Sequence, residues 1–220
     1  MLVSIKKSRS LPLFVSILLI SLSFFNFLLV KGINENSGGN KVVDVIDGDT
    51  IVVNKGLLIR LHGIDAPELN FCGGQEAKER LEELVLDKNV SLQELAKGNF
   101  DRVLSLVYVD SKLVNEILLE DGHAELFGAQ TSAKERLQKA NQYARENQLG
   151  IYGNCISLQP PNPKCNIKGN IHARNKTKFY HLPGCKSYSN TKIETFRGEE
   201  WFCSEEEAEE AGFKKAENCP

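Results

Sequence analysis

The segment IRLHGIDAPE places one guanidinium and two carboxylates close together. Arg60 is followed five residues later by Asp65, and Glu68 comes three residues after that. Pro67 stiffens the turn between the carboxylates and restricts the directions in which Glu68 can point. Arg60 interrupts an otherwise apolar stretch, where a charge is costly unless it finds a partner or projects from the sheet. Alone it would be interpreted as an exposed or salt-bridged arginine, but beside these carboxylates it is a candidate for anion binding.

Two further features carry charge at predicted strand ends. In VIDGDT, Gly48 between Asp47 and Asp49 favours a tight turn that brings carboxylates together, although Asp-Gly turns are common and weak evidence alone. Arg102 begins the apolar run RVLSLVYV, and its neighbour Asp101 cannot pair with it face to face within a regular strand. Carboxylates suit hard divalent cations, and forked guanidinium groups suit charge that develops on phosphoryl oxygens. Alone, however, Arg102 would also be interpreted as a surface charge.

Five strand-like segments would position these residues. KVVDVIDGDTIVV is interpreted as two strands broken at the Asp-Gly turn, and LLIRLHGI as a third strand. The helix-patterned segment QEAKERLEELVLD follows, with Ala77, Leu81, Leu84 and Val85 on one face. VSLQELA and RVLSLVYV are strands four and five. Five strands with a helix after the third match the small Greek-key barrel called the OB-fold.

Two more helices are predicted after the fifth strand. LVNEILLEDG has helical periodicity and ends at Gly122, a common left-handed stop. The last helix is expected from about Ser132 to Gln148, opening with the capping-box spacing of Ser132 and Glu135. Residues 41–155 are thus predicted to form a mainly β plus α domain, a five-stranded OB-fold barrel with three helices.

Six motifs in this region resemble the staphylococcal nuclease family. They cover about residues 42–153, in the family's order and approximate spacing: VIDGDTI, IRLHGIDAPE, GQEAKERL, RVLSLVYV, LVNEILLEDGHA and ARENQLGIYG. Each motif is moderately specific, but an accidental series of six in order is implausible. The resemblance implies an endonuclease that hydrolyses DNA and RNA with little sequence preference, breaking the bond to the 5′ oxygen and leaving 3′-phosphate ends.

The same resemblance implies a calcium ion as cofactor. Its ligands would be the carboxylates of Asp49 and Asp65, the backbone carbonyl of Ala66, and waters. Ligation by oxygen alone suits this hard cation.

The resemblance also implies roles for three catalytic residues. Glu68 would be the general base for the attacking water, and Arg60 and Arg102 would stabilise the phosphoryl oxygens in the transition state. Because forked guanidinium groups match this developing charge, lysine should be a poor replacement at either arginine. His62 and His123 are expected to have structural roles.

Two departures from the family pattern bear on substrate binding. Phe100 and Asp101 stand before Arg102, where the family commonly has an aromatic-glycine pair, and Asp101 adds a carboxylate. Residues 41–155 contain 13 basic and 19 acidic side chains. We therefore expect modest substrate affinity that falls further with added salt.

The first 32 residues form a predicted export segment. Lys6, Lys7 and Arg9 precede Leu11–Val30, a run of 20 residues without charge. The run ends without a convincing cleavage site, so both an uncleaved membrane anchor and a cleaved signal peptide stay open. The protein is expected to be secreted or tethered to the outer face of the cytoplasmic membrane, with residues 33–40 as a flexible tether.

The exported part has a negative net charge. It carries 23 Lys and Arg against 29 Asp and Glu, a net of −6. Proteins that hold nucleic acid by charge alone usually have a basic excess. The composition therefore argues against a passive nucleic-acid binder.

Six cysteines form an even set in a chain that leaves the cytosol, which favours disulfides. The family resemblance implies a bond between Cys72 and Cys155, on either side of the barrel's helices. Residues 156–164 are rich in proline and predicted to be a linker, which leaves residues 165–220 as a small accessory domain. Within it, Ser204 and Glu207 have capping-box spacing at the start of a short helix.

The remaining cysteines allow two interpretations. The string YHLPGC…WFCSEEEAEEAGFKKAENC resembles, in pattern, the metal-binding domain of the Ada DNA-repair protein, and His181 could join Cys185 and Cys219 in a zinc site. That site would be incomplete in sulfur ligands. Disulfides are preferred in an oxidising compartment, as Cys185 with Cys219 and Cys165 with Cys203, although sequence alone leaves three pairings open.

The role of the accessory domain is open at this stage. KCNIKGNIHARNKTK carries five Lys or Arg that could touch phosphate or wall polymer, but a solvated surface is the expected reading. A barrel that binds without cutting, or an adhesion protein that uses the barrel as a spacer, would not need the complete set of site residues. The sequence therefore favours an exported nuclease, and a monomer is expected, although the sequence leaves the oligomeric state open.

Overall fold

The computed structural model describes residues 39–98, 102–128, 130–173, 175–217 and 219. The predicted export segment, residues 33–38 of the predicted tether, Phe100 and Asp101 lie outside these ranges. Within them, no helix has the length and apolar character needed to cross a membrane.

Five strands close into a barrel. The strands up to residue 126 are β1 (Asn40–Asp47), β2 (Thr50–Val53), β3 (Leu57–Leu61), β4 (Ile64–Asp65), β5 (Asn89–Lys97), β6 (Val103–Val109), β7 (Lys112–Leu113) and β8 (Glu125–Leu126). The sheet order is β3-β2-β1-β5-β6-β7, and β3 also pairs in parallel with β6. This pairing closes the barrel, whose five strands are β1, β2, β3, β5 and β6. Short strands β4 and β8 pair separately. The predicted five-stranded OB-fold barrel is confirmed.

The barrel interior is filled by alternating aliphatic side chains. Ile51, Ile59 and Leu106 are fully buried, as alternation along half-buried strands requires. Burying each such side chain contributes about 1.5–3 kcal/mol relative to exposure. This core fixes the strand ends from which the charged residues project.

Four helices surround the barrel. They are α1 (Gly74–Val85), α2 (Val114–Glu120), α3 (Lys134–Glu146) and the short α4 (Ile151–Asn154), so the three predicted helices are present and α4 is additional. Helix α3 begins at Lys134 with Ala133 at its N-cap and no side-chain cap. The predicted Ser132 capping box is wrong, because the Ser132 amide donates to the Glu94 carboxylate on β5 instead (3.1 and 3.2 Å).

The C-terminal unit, residues 165–220, is built on a second small sheet. After β9 (Ile156–Ser157), its strands are β10 (Ile167–Ile171), β11 (Lys178–His181), β12 (Ile193–Glu194), β13 (Glu200–Phe202) and β14 (Lys214–Lys215), and its helix is α5 (Glu205–Glu210). The sheet order is β13-β10-β11-β14. Ser204 caps α5 by accepting from the Glu207 amide at 3.2 Å, as predicted. An apolar cluster that includes Tyr180 and Phe213 lies inside.

Three disulfides link the described cysteines. They join Cys72 to Cys155, Cys165 to Cys203 and Cys185 to Cys219. The pairings preferred from the sequence are therefore confirmed, and Cys185 and Cys219 bind each other rather than presenting two thiolates to a metal.

The C-terminal unit packs against the barrel region. Strand β9, at the start of the predicted proline-rich linker, pairs with β12 of the C-terminal unit. The rings of Tyr152 and Phe196 meet edge to face with centroids 6.0 Å apart. Residues 40–220 form one compact unit. The division into domains at residues 155 and 165 stays a prediction.

Candidate active site

The turn after β1 packs tightly against its neighbours. A Cβ atom added to Gly48 would lie 2.6 Å from the Ala77 Cβ on α1 and 2.7 Å from the Ala66 Cβ. Only glycine leaves room for the turn to approach both. The turn in this way places Asp49 in a buried position, with 2% of its surface exposed.

Arg60 bonds to two carboxylates, those of Asp49 and Asp65. Its Nη1 lies 2.6 Å from the Asp49 Oδ1, and its Nη2 lies 2.5 Å from the Asp65 Oδ1. The register of β2 and β3 pairs Arg60 with Thr50, the residue after Asp49, which brings the first pair together. The charge inside an apolar strand therefore has partners on both sides, as its burial requires.

Asp49 is held by three kinds of donor. Besides Arg60, the Ala66 amide donates to its Oδ2 at 2.9 Å and the Thr50 hydroxyl to its Oδ1 at 3.0 Å. Burial raises the pKa of Asp49 to about 7; the Arg60 guanidinium opposes this shift and Asp47 reinforces it. Desolvation disfavours a buried carboxylate, and a nearby cation favours it. A cation beside Asp49 therefore favours the charged form of its carboxyl group.

Asp65 meets a second cation on its other oxygen. The Lys176 Nζ lies 3.0 Å from the Asp65 Oδ2. Lys176 belongs to the loop between β10 and β11 in the C-terminal unit, 111 residues further along the chain. Lys176 belongs to the basic run 164–178, which was expected to be a solvated surface.

A cleft of about 540 Å³ lies beside these ion pairs. Its lining includes the following functional candidates and neighbours: Asp47, Arg60, His62, Asp65, Glu68, Lys97, Arg102, Phe127 and Lys176. Four of the six predicted site residues therefore line one cleft: Arg60, Asp65, Glu68 and Arg102. Ala66 lines an adjoining cleft of about 130 Å³, and Asp49 lies behind Arg60.

Glu68 stands on the loop between β4 and α1. Its carbonyl accepts from the Phe71 amide at 2.9 Å, and a Cβ added to Gly74 would lie only 2.0 Å from that carbonyl oxygen. Gly74 therefore permits the close turn that presents Glu68. The Glu68 side chain is exposed on the cleft, where water has access.

Arg102 reaches the cleft from the start of β6. Its carbonyl accepts from the Gly98 amide at 2.9 Å, which closes the base of the loop between β5 and β6. Arg60 lies on β3, and Arg102 directly precedes β6, the strand that pairs in parallel with β3. The two guanidinium groups thus border one cleft although 42 positions separate them in the sequence.

The two histidines differ in position. His62 lines the cleft, and within the described residues its buried Nδ1 has no hydrogen-bond partner. His123 lies outside the lining, and burial lowers its pKa, opposed by Asp121. Their expected structural roles stay predictions. The described part of the chain contains no group of three or more His, Cys, Asp or Glu arranged to hold a metal ion.

The barrel region and the C-terminal unit are each similar to known families. The family model for staphylococcal nuclease homologues matches residues 58–154, and the model ArfC matches residues 158–215. An uncharacterized endonuclease of Haemophilus influenzae is 30% identical over 138 residues, covering 61% of this chain and 77% of that protein.

Two relatives carry more specific names. The micrococcal nuclease of Shigella flexneri is 29% identical over 135 residues, covering 54% of this chain and 76% of that protein. The thermonuclease of Staphylococcus hyicus is 28% identical over 134 residues, covering 55% and 79%. The matched stretch of the first family model contains Arg60, Asp65, Glu68 and Arg102.

Proposed function

The chain belongs to the staphylococcal nuclease family and is a phosphodiester-hydrolysing endonuclease, and we propose that it uses calcium, Glu68, Arg60 and Arg102 to cleave DNA and RNA. One observation carries the residue assignment. A single cleft is lined by a carboxylate exposed to water and by two guanidinium groups, one on β3 and one directly before the adjacent strand β6. An anion in this cleft would have both arginines and the carboxylate in its lining.

Asp49, Asp65 and the Ala66 carbonyl are proposed to hold the calcium ion. The donor chemistry fits, because these are oxygen ligands and two of them are carboxylates that converge on one guanidinium. The ion, when bound, would supply positive charge to the phosphoryl oxygens. Asp49, buried and oriented by the Ala66 amide, would keep its position whether or not the ion is present.

Glu68 is proposed to act as the general base. Its side chain is exposed on the cleft, so that it can take a proton from a water molecule that enters there. The water oxygen would bond to phosphorus while the bond from phosphorus to the 5′ oxygen breaks. The departing 5′ oxygen would take a proton from solvent, which leaves a 3′-phosphate and a 5′-hydroxyl.

Arg60 and Arg102 are proposed to stabilise the charge that builds on the phosphoryl oxygens. Guanidinium groups present parallel N–H donors that match two oxygens at once. Fixed donors aimed at developing charge stabilise the transition state more than the substrate. Arg60 is fixed by its two carboxylate partners, so its orientation is set before substrate binds.

The sequence preference, the cellular location and the oligomeric state of the enzyme are also proposed. Contacts in the cleft come from charged groups suited to phosphate rather than to particular bases, which supports cleavage with little sequence preference. The three disulfides support export to an oxidising compartment, either secreted or tethered to the outer face of the cytoplasmic membrane. We infer that the enzyme acts as a monomer.

Cleavage in the presence and absence of calcium tests this proposal. The purified exported part would be incubated with single-stranded DNA or RNA in calcium, in magnesium or in chelator, and the product ends would be identified. We expect calcium-dependent cleavage that leaves 3′-phosphates. Equal cleavage in chelator, or 5′-phosphate ends, would contradict the proposed chemistry.

A further inference from the structure

Backbone hydrogen bonds join the described residues His172, Lys176 and Thr177 between β10 and β11. The His172 amide donates to the Thr177 carbonyl at 2.9 Å, and the Lys176 amide donates to the His172 carbonyl at 2.8 Å. Lys176 adopts a left-handed backbone conformation, with φ of 56°. These bonds lie at the base of the hairpin from which Lys176 contacts Asp65 of the barrel.

Lys176 is a cation at the edge of the cleft. Its Nζ lies 3.0 Å from the Asp65 Oδ2 and 5.6 Å from the centre of the Phe127 ring. About half of its side chain is exposed (53%). A salt bridge at such an exposed position contributes only about 0–1 kcal/mol. The ammonium group can therefore leave Asp65 for a stronger anion at small cost.

A second cation of the C-terminal unit also contacts the barrel. Arg197 of the C-terminal unit makes an ion pair with Glu125, which is buried. Glu125 on β8 is the register partner of Asp65 on β4. Lys176 and Arg197 thus bind two neighbouring carboxylates of the barrel, and the position of Lys176 follows from how the C-terminal unit is attached.

The net negative charge of the barrel is a reason for the cleft to need an additional cation. Residues 41–155 carry six more acidic than basic side chains, which disfavours a polyanionic substrate. Lys176 adds positive charge to the same lining as Arg60 and Arg102. A lysine ammonium binds phosphate as a point charge and needs no fixed orientation.

We propose that Lys176 is a substrate-binding residue that the C-terminal unit supplies to the cleft, where it contacts a backbone phosphate of the nucleic acid. This inference rests on the proposed function, because it assigns a further residue to the same cleft. It also gives the C-terminal unit a role in the barrel's reaction. Lys176 contributes to substrate binding. Arg60 and Arg102 contact the phosphate that is cleaved.

The test measures binding and catalysis separately. Lys176→Met removes the charge and keeps the side chain's length. Lys164→Met is the matched control, because Lys164 is an exposed lysine just before the C-terminal unit and does not line the cleft. Binding would be measured by fluorescence anisotropy with labelled single-stranded DNA in calcium, on a Glu68→Gln background. Steady-state cleavage would be measured with Glu68 present.

We expect Lys176→Met to raise Kd and KM about 5–10-fold with little change in kcat. Each lost phosphate contact should also reduce the slope of log K against log salt by about 0.7. Lys176→Arg should bind as the parent does, and Lys164→Met should match the parent. A Kd and salt slope in Lys176→Met equal to those in Lys164→Met would overturn the proposal. A lower calcium requirement for cleavage by Lys176→Met, with an unchanged Kd for DNA, would also overturn it. In that case Lys176 would only compete with calcium for Asp65.

These outcomes separate the two proposals. If the parent cleaves with calcium but the two lysine variants bind equally, only the role of Lys176 is wrong. If the parent fails to cleave yet DNA binding depends on Lys176, only the proposed chemistry is wrong.

Discussion

Arg60 bonds to Asp49 with its Nη1 and to Asp65 with its Nη2, at 2.6 and 2.5 Å. One arginine therefore links the turn after β1 to the end of β4, and it orders both proposed calcium ligands. The pairing is partly buried, so it is screened less by salt than an exposed ion pair. It fixes the geometry of the cleft in the absence of substrate.

Replacing either cleft arginine by lysine should lower kcat more than it raises KM. Lysine keeps the charge but loses the fork that matches two phosphoryl oxygens. We expect losses in kcat of about 10²–10³-fold for Arg60→Lys and Arg102→Lys, the range found when one transition-state donor is removed. Arg136→Lys, on the exposed face of α3, is the control and should retain parent activity. Retained kcat in both cleft variants would show that neither guanidinium acts on the transition state.

Removing Arg197 should destabilise the protein because it leaves Glu125 buried without its main partner. Breaking a buried ion pair by deleting one member costs about 3–5 kcal/mol. Arg145, 3.9 Å from the Glu125 carboxylate, should reduce this loss. Urea unfolding of Arg197→Met, Glu125→Gln and the double variant would measure the coupling. We expect the double variant to be more stable than Arg197→Met; strictly additive losses would show that the pair contributes no coupling.

The buried Glu199 should make stability depend on pH. It accepts from the Asn170 side chain and the Ile171 amide at 2.8 Å, and from the Glu194 amide at 2.7 Å. Burial raises its pKa to about 7, although the two amide donors lower it. Because the folded pKa lies above the unfolded value of 4.5, the stabilisation is complete below about pH 4.5 and is lost as pH rises through about 7.

Glu199→Gln should remove this loss. Between pH 4.5 and pH 7.5 the parent's free energy of unfolding should fall relative to the variant's, by on the order of 3 kcal/mol at most, since one pKa unit corresponds to about 1.4 kcal/mol. Urea unfolding at several pH values in that range measures the difference. Parallel pH profiles for the two proteins would show that Glu199 does not titrate there.

Much of the barrel could be predicted because its signals are local. Strand alternation and the face of α1 follow from spacing within ten or so residues, and the core they build is the one observed. The convergence of Arg60 and Asp65 was predictable for the same reason, since five residues separate them. The cap at Ser132 was mispredicted because the Ser132 amide donates to the carboxylate of Glu94, which is distant in sequence. Tertiary contact overrode a local pattern.

The contribution of the C-terminal unit to the cleft could not be predicted. The basic run that includes Lys176 is visible in the sequence, but which of its side chains meets Asp65 depends on how the second sheet docks. That docking depends on contacts such as Arg197 with Glu125, between residues 72 positions apart. No periodicity or motif encodes such a pairing. The loop before Arg102, with Asp101, lies outside the described residues, so its expected effect on substrate binding stays a prediction.

The most direct test of the account is the cleavage rate of Glu68→Gln with calcium and single-stranded DNA. Glutamine keeps the shape of the side chain but does not accept a proton from water at neutral pH. Glu79→Gln, on the exposed face of α1, is the matched control. We predict a fall in kcat of about 10²–10⁴-fold for Glu68→Gln, the usual contribution of general-base catalysis, with parent activity in the control. Undiminished kcat in Glu68→Gln would contradict the assignment of Glu68 as the base.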